Sequence, residues 1–284
     1  MKFNHCLRIP LMVLTLILVS AVLTPVLAAE KLSVFVSIEP QAYLVERIGQ
    51  DKVVVSVLVP PGKSPETYSP KPGQMKDLAR AQILFTIGVE FEQALVPRIS
   101  GVNEGITLVD TTQGITPRTF PDGGRDPHIW MSPRLAAIQS ETMCNALGHA
   151  RPEYRSFFQA NLEVLKQDLV RLDQTLATAF EPIRGQALMV FHPVFGYLAD
   201  DYGLVQMAVE KEGKAPKGKD LVRFIQQAQE KRARVIFVQP QFDTNTAQKV
   251  ASAIGGVVIP LDPLARNYIQ NLESIAVTIR NALQ

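Results

Sequence analysis

Eight short runs rich in β-branched residues, in two groups of four, constrain this chain most. The first group is "LSVFVS" from Leu32, "VVVSVLVP" from Val53, "ILFTIG" from Ile83 and "ITLV" from Ile106. The second is "ALMVFH" from Ala187, "VQMAVE" from Val205, "RVIFVQ" from Arg234 and "VVIPLD" from Val257. Helical segments separate the runs within each group, and continuous apolar runs alternating with helices are the signature of parallel sheets covered on both faces. The reading is an α/β fold of two parallel-sheet lobes.

Between the groups, Phe158, Leu162, Leu165, Leu169, Leu172 and Leu176 recur at alternating spacings of four and three. That is one apolar stripe on one long helix, and Pro152 suits its first turn. At a rise of roughly 1.5 Å per residue, a helix over residues 152–180 exceeds about 40 Å and crosses both lobes as a rigid backbone. The stripe could instead pair two chains as a coiled coil, but it spans only about four heptads. Burial against its own lobes, in a monomer, is the expectation. The predicted organisation is an N-terminal lobe over 29–150, a linking helix over 151–184 and a C-terminal lobe over 185–284.

The first 28 residues read as an export signal. Lys2 and Arg8 supply a positive start, residues 9–23 are apolar apart from Pro10, Thr15 and Ser20, and Val26-Leu27-Ala28 suits cleavage after Ala28. Cys6 precedes the apolar run, so the pattern is not that of a lipid anchor, and the run is shorter than the roughly 20 residues of a membrane span. The 29 basic and 27 acidic residues come into balance once Lys2 and Arg8 leave. A neutral chain lacks the basic face that nucleic acid requires. Of two cysteines only Cys144 remains, so no internal disulfide can form, and stability must come from burial.

Of four histidines, His5 lies in the leader, and two of the others stand in phrases built like metal sites. His128 falls in "RDPHIWMSP", before a helix expected near Pro133, and His192 ends the strand of "ALMVFH". In open α/β sheets ligands gather beyond the carboxyl ends of the strands. The rule adds Asp262, after "VVIPL", and Glu66, in the loop "PPGKSPETYSPKP". Two imidazoles and two carboxylates suit a first-row divalent cation, and a site filled by four protein ligands favours reversible capture over activation of water. Glu90 and Glu92 in "GVEFE" read as exposed loop carboxylates, and "EKEGKAPKGKD" from Glu210 reads as a solvated loop with no ligand role. Trp130 and Tyr68 read as packing residues near the ligands, and His149 as a residue favouring a helix C-terminus.

At these residues the chain resembles the substrate-binding receptors of bacterial zinc and manganese ABC importers, the ZnuA/TroA-like family. The matching phrases run in the family's order from "VFVSIEPQAYLVERIGQDKVVVSVLVPPG" through "ETYSPKPGQMKDLARAQILFTIGVEFE", "DPHIWMSP", "FHPVFGYLADDYGL", "EGKAPKGKDL" and "VIFVQPQFDTNTAQKVASAIGG" to "VVIPLDPL". The resemblance implies two α/β lobes on a long rigid helix with metal between them, a periplasmic location and an ABC permease as partner. It also implies His128, His192 and Asp262 as ligands. Glu66 is a departure, because zinc-type members usually carry histidine there; an oxygen makes the site harder and more negative. The manganese-type members combine two histidines with two carboxylates, with the glutamate placed elsewhere. Zinc is the expected cargo, with manganese or iron(II) as alternatives. The His-rich loop of many zinc receptors is missing, since "TPRTFPDGGRDP" holds no histidine. Two other functions compete. A secreted zinc hydrolase would use Glu66 as general base, but the chain lacks HExxH, and a receptor for a siderophore, cobalamin or haem would want an aromatic or arginine-lined cleft.

Overall fold

The computed structural model describes residues 30–121, 123–210, 218–242 and 244–284. The export signal expected over 1–28 lies outside the described residues, as do Lys211, Lys214 and Lys217 of the lysine-bearing loop. No described helix is long and apolar enough to cross a membrane.

The first strand group forms β1 (Leu32–Val36), β2 (Val53–Val57), β3 (Ile83–Thr86) and β4 (Thr107–Asp110), with α1 (Glu39–Gly49), α2 (Pro72–Leu78) and α3 (Glu90–Val102) between them. After β4 come α4 (Pro133–Ala150) and α5 (Arg155–Phe180). The second group gives β5 (Ala187–Val190), β6 (Val205–Ala208), β7 (Val235–Val238) and β8 (Val257–Pro260), interleaved with α6 (Gly196–Tyr202), α7 (Gly218–Glu230) and α8 (Thr244–Ala253); α9 (Tyr268–Leu283) ends the chain. Every strand pairing is parallel, in the orders β2-β1-β3-β4 and β6-β5-β7-β8. Both sheets therefore turn the carboxyl ends of their strands into loops of the same kind, and those loops carry the site.

Alternation of short strands with helices dictates this topology, because a parallel pair needs a crossover and the crossover supplies the covering helix. Leu32, Val34, Val36, Ile83, Leu84 and Phe85 are buried, as a doubly covered sheet demands. Ser132 caps α4, its Oγ accepting from the Leu135 amide at 3.3 Å, and Pro133 occupies the first turn, where a missing N–H costs nothing.

All six residues of the predicted stripe are buried on α5. Pro152 stands in a 3-10 turn, Pro152–Tyr154, that leads into the helix. At 26 residues α5 is about 39 Å long and packs against α1, α4 and α9. One continuous core runs from the first sheet through the face of α5 to Leu188, Val190 and Phe237 of the second sheet. A smaller core, with Met189, Ile236 and Val238, lies on the opposite face of the second sheet with α7 and α8 residues. Apolar packing shared across both lobes leaves little for a hinge to bend, since separating them would expose core side chains to water.

Candidate metal centre

Glu66 lies in a proline-rich loop after β2 that is fixed at both flanks. Gln74 at the start of α2 donates to the Leu58 carbonyl at 2.7 Å and accepts from the Lys71 amide at 3.0 Å, while Ser64 Oγ accepts from the Glu66 amide at 3.2 Å. His128 comes directly after Asp126-Pro127 and enters a short 3-10 turn, Ile129–Met131. His192 stands two residues beyond β5, where buried Gln239, just past β7, accepts from its amide at 3.2 Å and donates to its carbonyl at 3.4 Å. The end of the neighbouring strand thus holds the histidine's backbone.

These loops bring three of the four expected ligands together. One ligand atom each from Glu66, His128 and His192 lies within 4.8 Å of the other two. Nε2 of His192 is 3.1 Å from Nε2 of His128 and 3.0 Å from Glu66 Oε1. The opposite nitrogens are also engaged. His128 Nδ1 meets Asp126 Oδ1 at 2.7 Å, and His192 Nδ1 meets Glu210 Oε2 at 2.7 Å. A carboxylate accepts only, so each Nδ1 carries the hydrogen and each Nε2 of a neutral ring turns a lone pair inward. Two such lone pairs and a carboxylate oxygen repel one another unless a positive centre sits among them. Glu66 Oε2 is buried with no hydrogen-bond partner, so it too is a free acceptor. Partners that fix tautomer and ring orientation in this way are what metal-binding imidazoles require.

Asp262 is placed differently. Its Oδ1 accepts from Gln241 Nε2 at 2.9 Å and from the Leu264 amide at 3.0 Å, and the residue lines a neighbouring cleft rather than joining the cluster. Gln241 lines both that cleft and the cavity of about 340 Å³ around Glu66 and the histidines.

Two expectations are corrected here. Glu210 belongs to no solvated loop: it is 4% exposed and holds His192, because its amide donates to the Phe191 carbonyl at 2.9 Å and so draws the segment after β6 alongside β5. Glu92 is likewise buried rather than exposed, its carboxylate accepting from Ser37 Oγ and from the Ile87 and Gly88 amides, whereas Glu90 is exposed at the cavity rim. Trp130 is buried against the edge of the His128 ring and donates through Nε1 to the Pro263 carbonyl at 3.0 Å, tying the two lobes beside the site. Phe242 stacks on His192 with centroids 4.9 Å apart. Tyr68 is half-buried and bonds Gln74, and His149 is exposed in the last turn of α4.

The family model described as ZnuA, zinc-uptake complex component A periplasmic, matches residues 34–282. The chain belongs to the ZnuA family. It is a periplasmic metal-binding receptor of that family, whose members are components of metal-uptake systems. A crystal structure of ZnuA superposes with a TM-score of 0.87 at 39% identity, covering 90% of this chain and 100% of that one. A ZnuA deletion mutant with zinc bound does so with a TM-score of 0.86 at 39% identity, over 90% and 99% of the two chains. Among curated relatives, a putative metal-binding protein of Chlamydia trachomatis is 26% identical over 251 residues, 87% of this chain and 90% of its own.

Within this ZnuA-family site, burial raises the Glu66 carboxyl above its ordinary value, against the pull of His192 and with Glu210 and Glu90 adding to the rise. An acid whose pKa is higher folded than unfolded stabilises the fold below its unfolded pKa and loses that contribution as pH climbs through the folded value. In metal-free protein near neutral pH, keeping the Glu66 carboxyl in its buried position therefore costs stability. Glu66→Gln is expected to raise the melting temperature of chelator-treated protein by roughly 2–4 °C at about pH 7 and by little at about pH 4. Thermal melts at the two pH values check this, and a lower melting temperature at neutral pH would contradict it.

Proposed function

We propose that this chain captures zinc between its lobes and delivers it to the permease of an ABC importer, with Glu66, His128, His192 and Asp262 as ligands. In this reading residues 1–28 are a cleaved leader, and the mature monomer carries lobes over 29–150 and 185–284 on the linking helix over 151–184. The observation that carries the reading is the pair of imidazoles facing each other through Nε2, each with Nδ1 fixed by a buried carboxylate. The ZnuA mutant crystallised with zinc, similar over 90% of this chain, supports zinc as the cargo. Zinc also stands above manganese and iron(II) in affinity for nitrogen and oxygen donors. Four protein ligands leave no open position for an activated water, which suits carriage rather than hydrolysis.

Asp262 stands two residues past β8, on the opposite lobe from Glu66, and in this reading its short loop shifts on capture to bring its other oxygen to the metal. Capture would neutralise the repulsion between Glu66 and Asp262 and displace protons, so affinity falls on acidification. Titration of metal-stripped, leader-free protein with zinc, manganese and iron(II), alongside Glu66→His, tests the assignment. One tight zinc equivalent, strengthened by Glu66→His, is the expected result. Comparable manganese binding that the substitution abolishes would point to manganese delivery, which the two oxygens of the ligand set would favour, and no binding at all would overturn the site.

A further inference from the structure

Glu66 and Asp262 differ in what their oxygens are free to do. Glu66 Oε2 has no donor on it. Asp262 Oδ1 has two, the Gln241 side-chain amide and the Leu264 backbone amide. An oxygen with two lone pairs that accepts two hydrogen bonds has none left for a cation. Only Oδ2 of Asp262 can then reach a metal, and the aspartate binds through one oxygen. Of the two donors, the Leu264 N–H belongs to the turn that Asp262 itself begins, so it accompanies any movement of that turn. The Gln241 amide comes from the loop after β7 and lines the ligand cavity as well.

We infer that Gln241, whose side chain lines both clefts, keeps its bond to Asp262 Oδ1 when the aspartate moves to the metal and is thereby a specificity-determining residue, which restricts that carboxylate to one oxygen and keeps the coordination number low. The inference rests on the proposed role of Asp262 as the fourth ligand. Zinc is at ease with four donors, whereas manganese prefers six, mostly oxygen. A carboxylate free to chelate through both oxygens adds a hard donor at no cost in residues and moves the site toward manganese. Gln241 therefore discriminates without touching the ion. The Gln239 side chain, two residues earlier, is committed to the His192 backbone and cannot replace it.

The test compares Gln241→Ala and Asp262→Ala with the unaltered protein, each stripped and titrated with zinc and with manganese, and each loaded with cobalt(II) as a spectroscopic stand-in. With alanine at 241, one lone pair of Oδ1 becomes available. The expected result is a zinc-to-manganese affinity ratio reduced about tenfold, with cobalt(II) visible absorption weakened from the intense bands of four-coordination toward the faint bands of higher coordination. A merely structural role for Gln241 would lower the melting temperature and weaken both metals alike, leaving the ratio and the cobalt spectrum unchanged, and that outcome overturns the inference while the ligand set stands. If Asp262→Ala leaves zinc affinity unchanged, the fourth-ligand assignment falls and the role of Gln241 falls with it.

Discussion

His192→Ala is expected to weaken zinc binding on the order of a hundredfold or more, and Glu210→Ala by about 10–100-fold although Glu210 touches no metal. Removal of the imidazole takes away the nitrogen that faces both His128 and Glu66. Removal of the Glu210 carboxylate leaves the nitrogen but frees the ring to turn and to place its hydrogen on the wrong atom, because Nδ1 loses its acceptor at 2.7 Å. Glu210→Gln separates geometry from charge. Its amide oxygen can still accept from Nδ1, so a small loss would show that orientation dominates, and a loss as large as that of alanine would show that the buried negative charge raises the ring's donor strength. Competition against a chromophoric chelator measures all three. Unchanged affinity in Glu210→Ala would remove Glu210 from the site.

The second large effect is expected from Gly196→Ala, at a position that bears no functional group. A Cβ built on Gly196 would lie 2.8 Å from Asp126 Oδ2 and 2.8 Å from Arg118 Nε, closer than real Cβ contacts come. Asp126 cannot step aside freely. It is fully buried, its Oδ1 accepts from both the amide and Nδ1 of His128, and Arg118 pairs with its other oxygen at 3.3 Å. Arg118 in turn pairs with Asp200 on α6, and Tyr197 of the same helix donates to the Asp126 carbonyl at 2.9 Å. The helix that begins four residues after one histidine thus seats the carboxylate that orients the other. Alanine at 196 should push this assembly apart, lowering both the melting temperature and zinc affinity, the latter by about tenfold or more. Equal affinity and equal melting temperature would mean that α6 simply shifts and that the close approach has no role.

Much of the fold and site is legible in the sequence, and the remainder is hidden for a physical reason. Strands at Leu32, Val53, Ala187 and Val205 begin where the apolar runs begin: β1 and β5 are central and largely buried, so no polar alternation blurs their boundaries, and the edge strands β2 and β6 keep β-branched or apolar runs although Val54 and Val205 are exposed. The stripe on α5 is equally plain, since a helix 26 residues long repeats its pattern enough to be unmistakable. His128, His192 and Glu66 stand out as metal-ligating residue types in the loops at the carboxyl ends of the sheets. The same rule applied to β6 points to Glu210, two residues past Ala208 as His192 is two past Val190, yet the lysines after it suggest water. Composition near a residue reports its chain neighbours, whereas its burial depends on the strand alongside, and only pairing of β5 with β6 brings Glu210 under His192. Glu92 misleads for a similar reason: it reads as one of two exposed loop carboxylates, but α3 turns it inward onto the Ile87 and Gly88 amides. The bond from Gln241 to Asp262 joins the loops after two different strands and leaves no local mark at all.

The donors proposed for zinc are divided evenly, Glu66 and His128 from the lobe of the first sheet, His192 and Asp262 from that of the second. Either pair alone is an ordinary two-armed chelator and would hold an ion loosely. Mounted on one continuous core, each pair meets an ion already held by the other at a high effective concentration, and the modest affinities multiply. On this proposal the ion would act on the protein as a cross-link, stitching together two halves that are otherwise joined by packing and a single rod. On the proposed ligand set, a loaded receptor would differ from an empty one in stiffness more than in outline, and the proposed permease would tell the two apart by how much the surface presented to it yields.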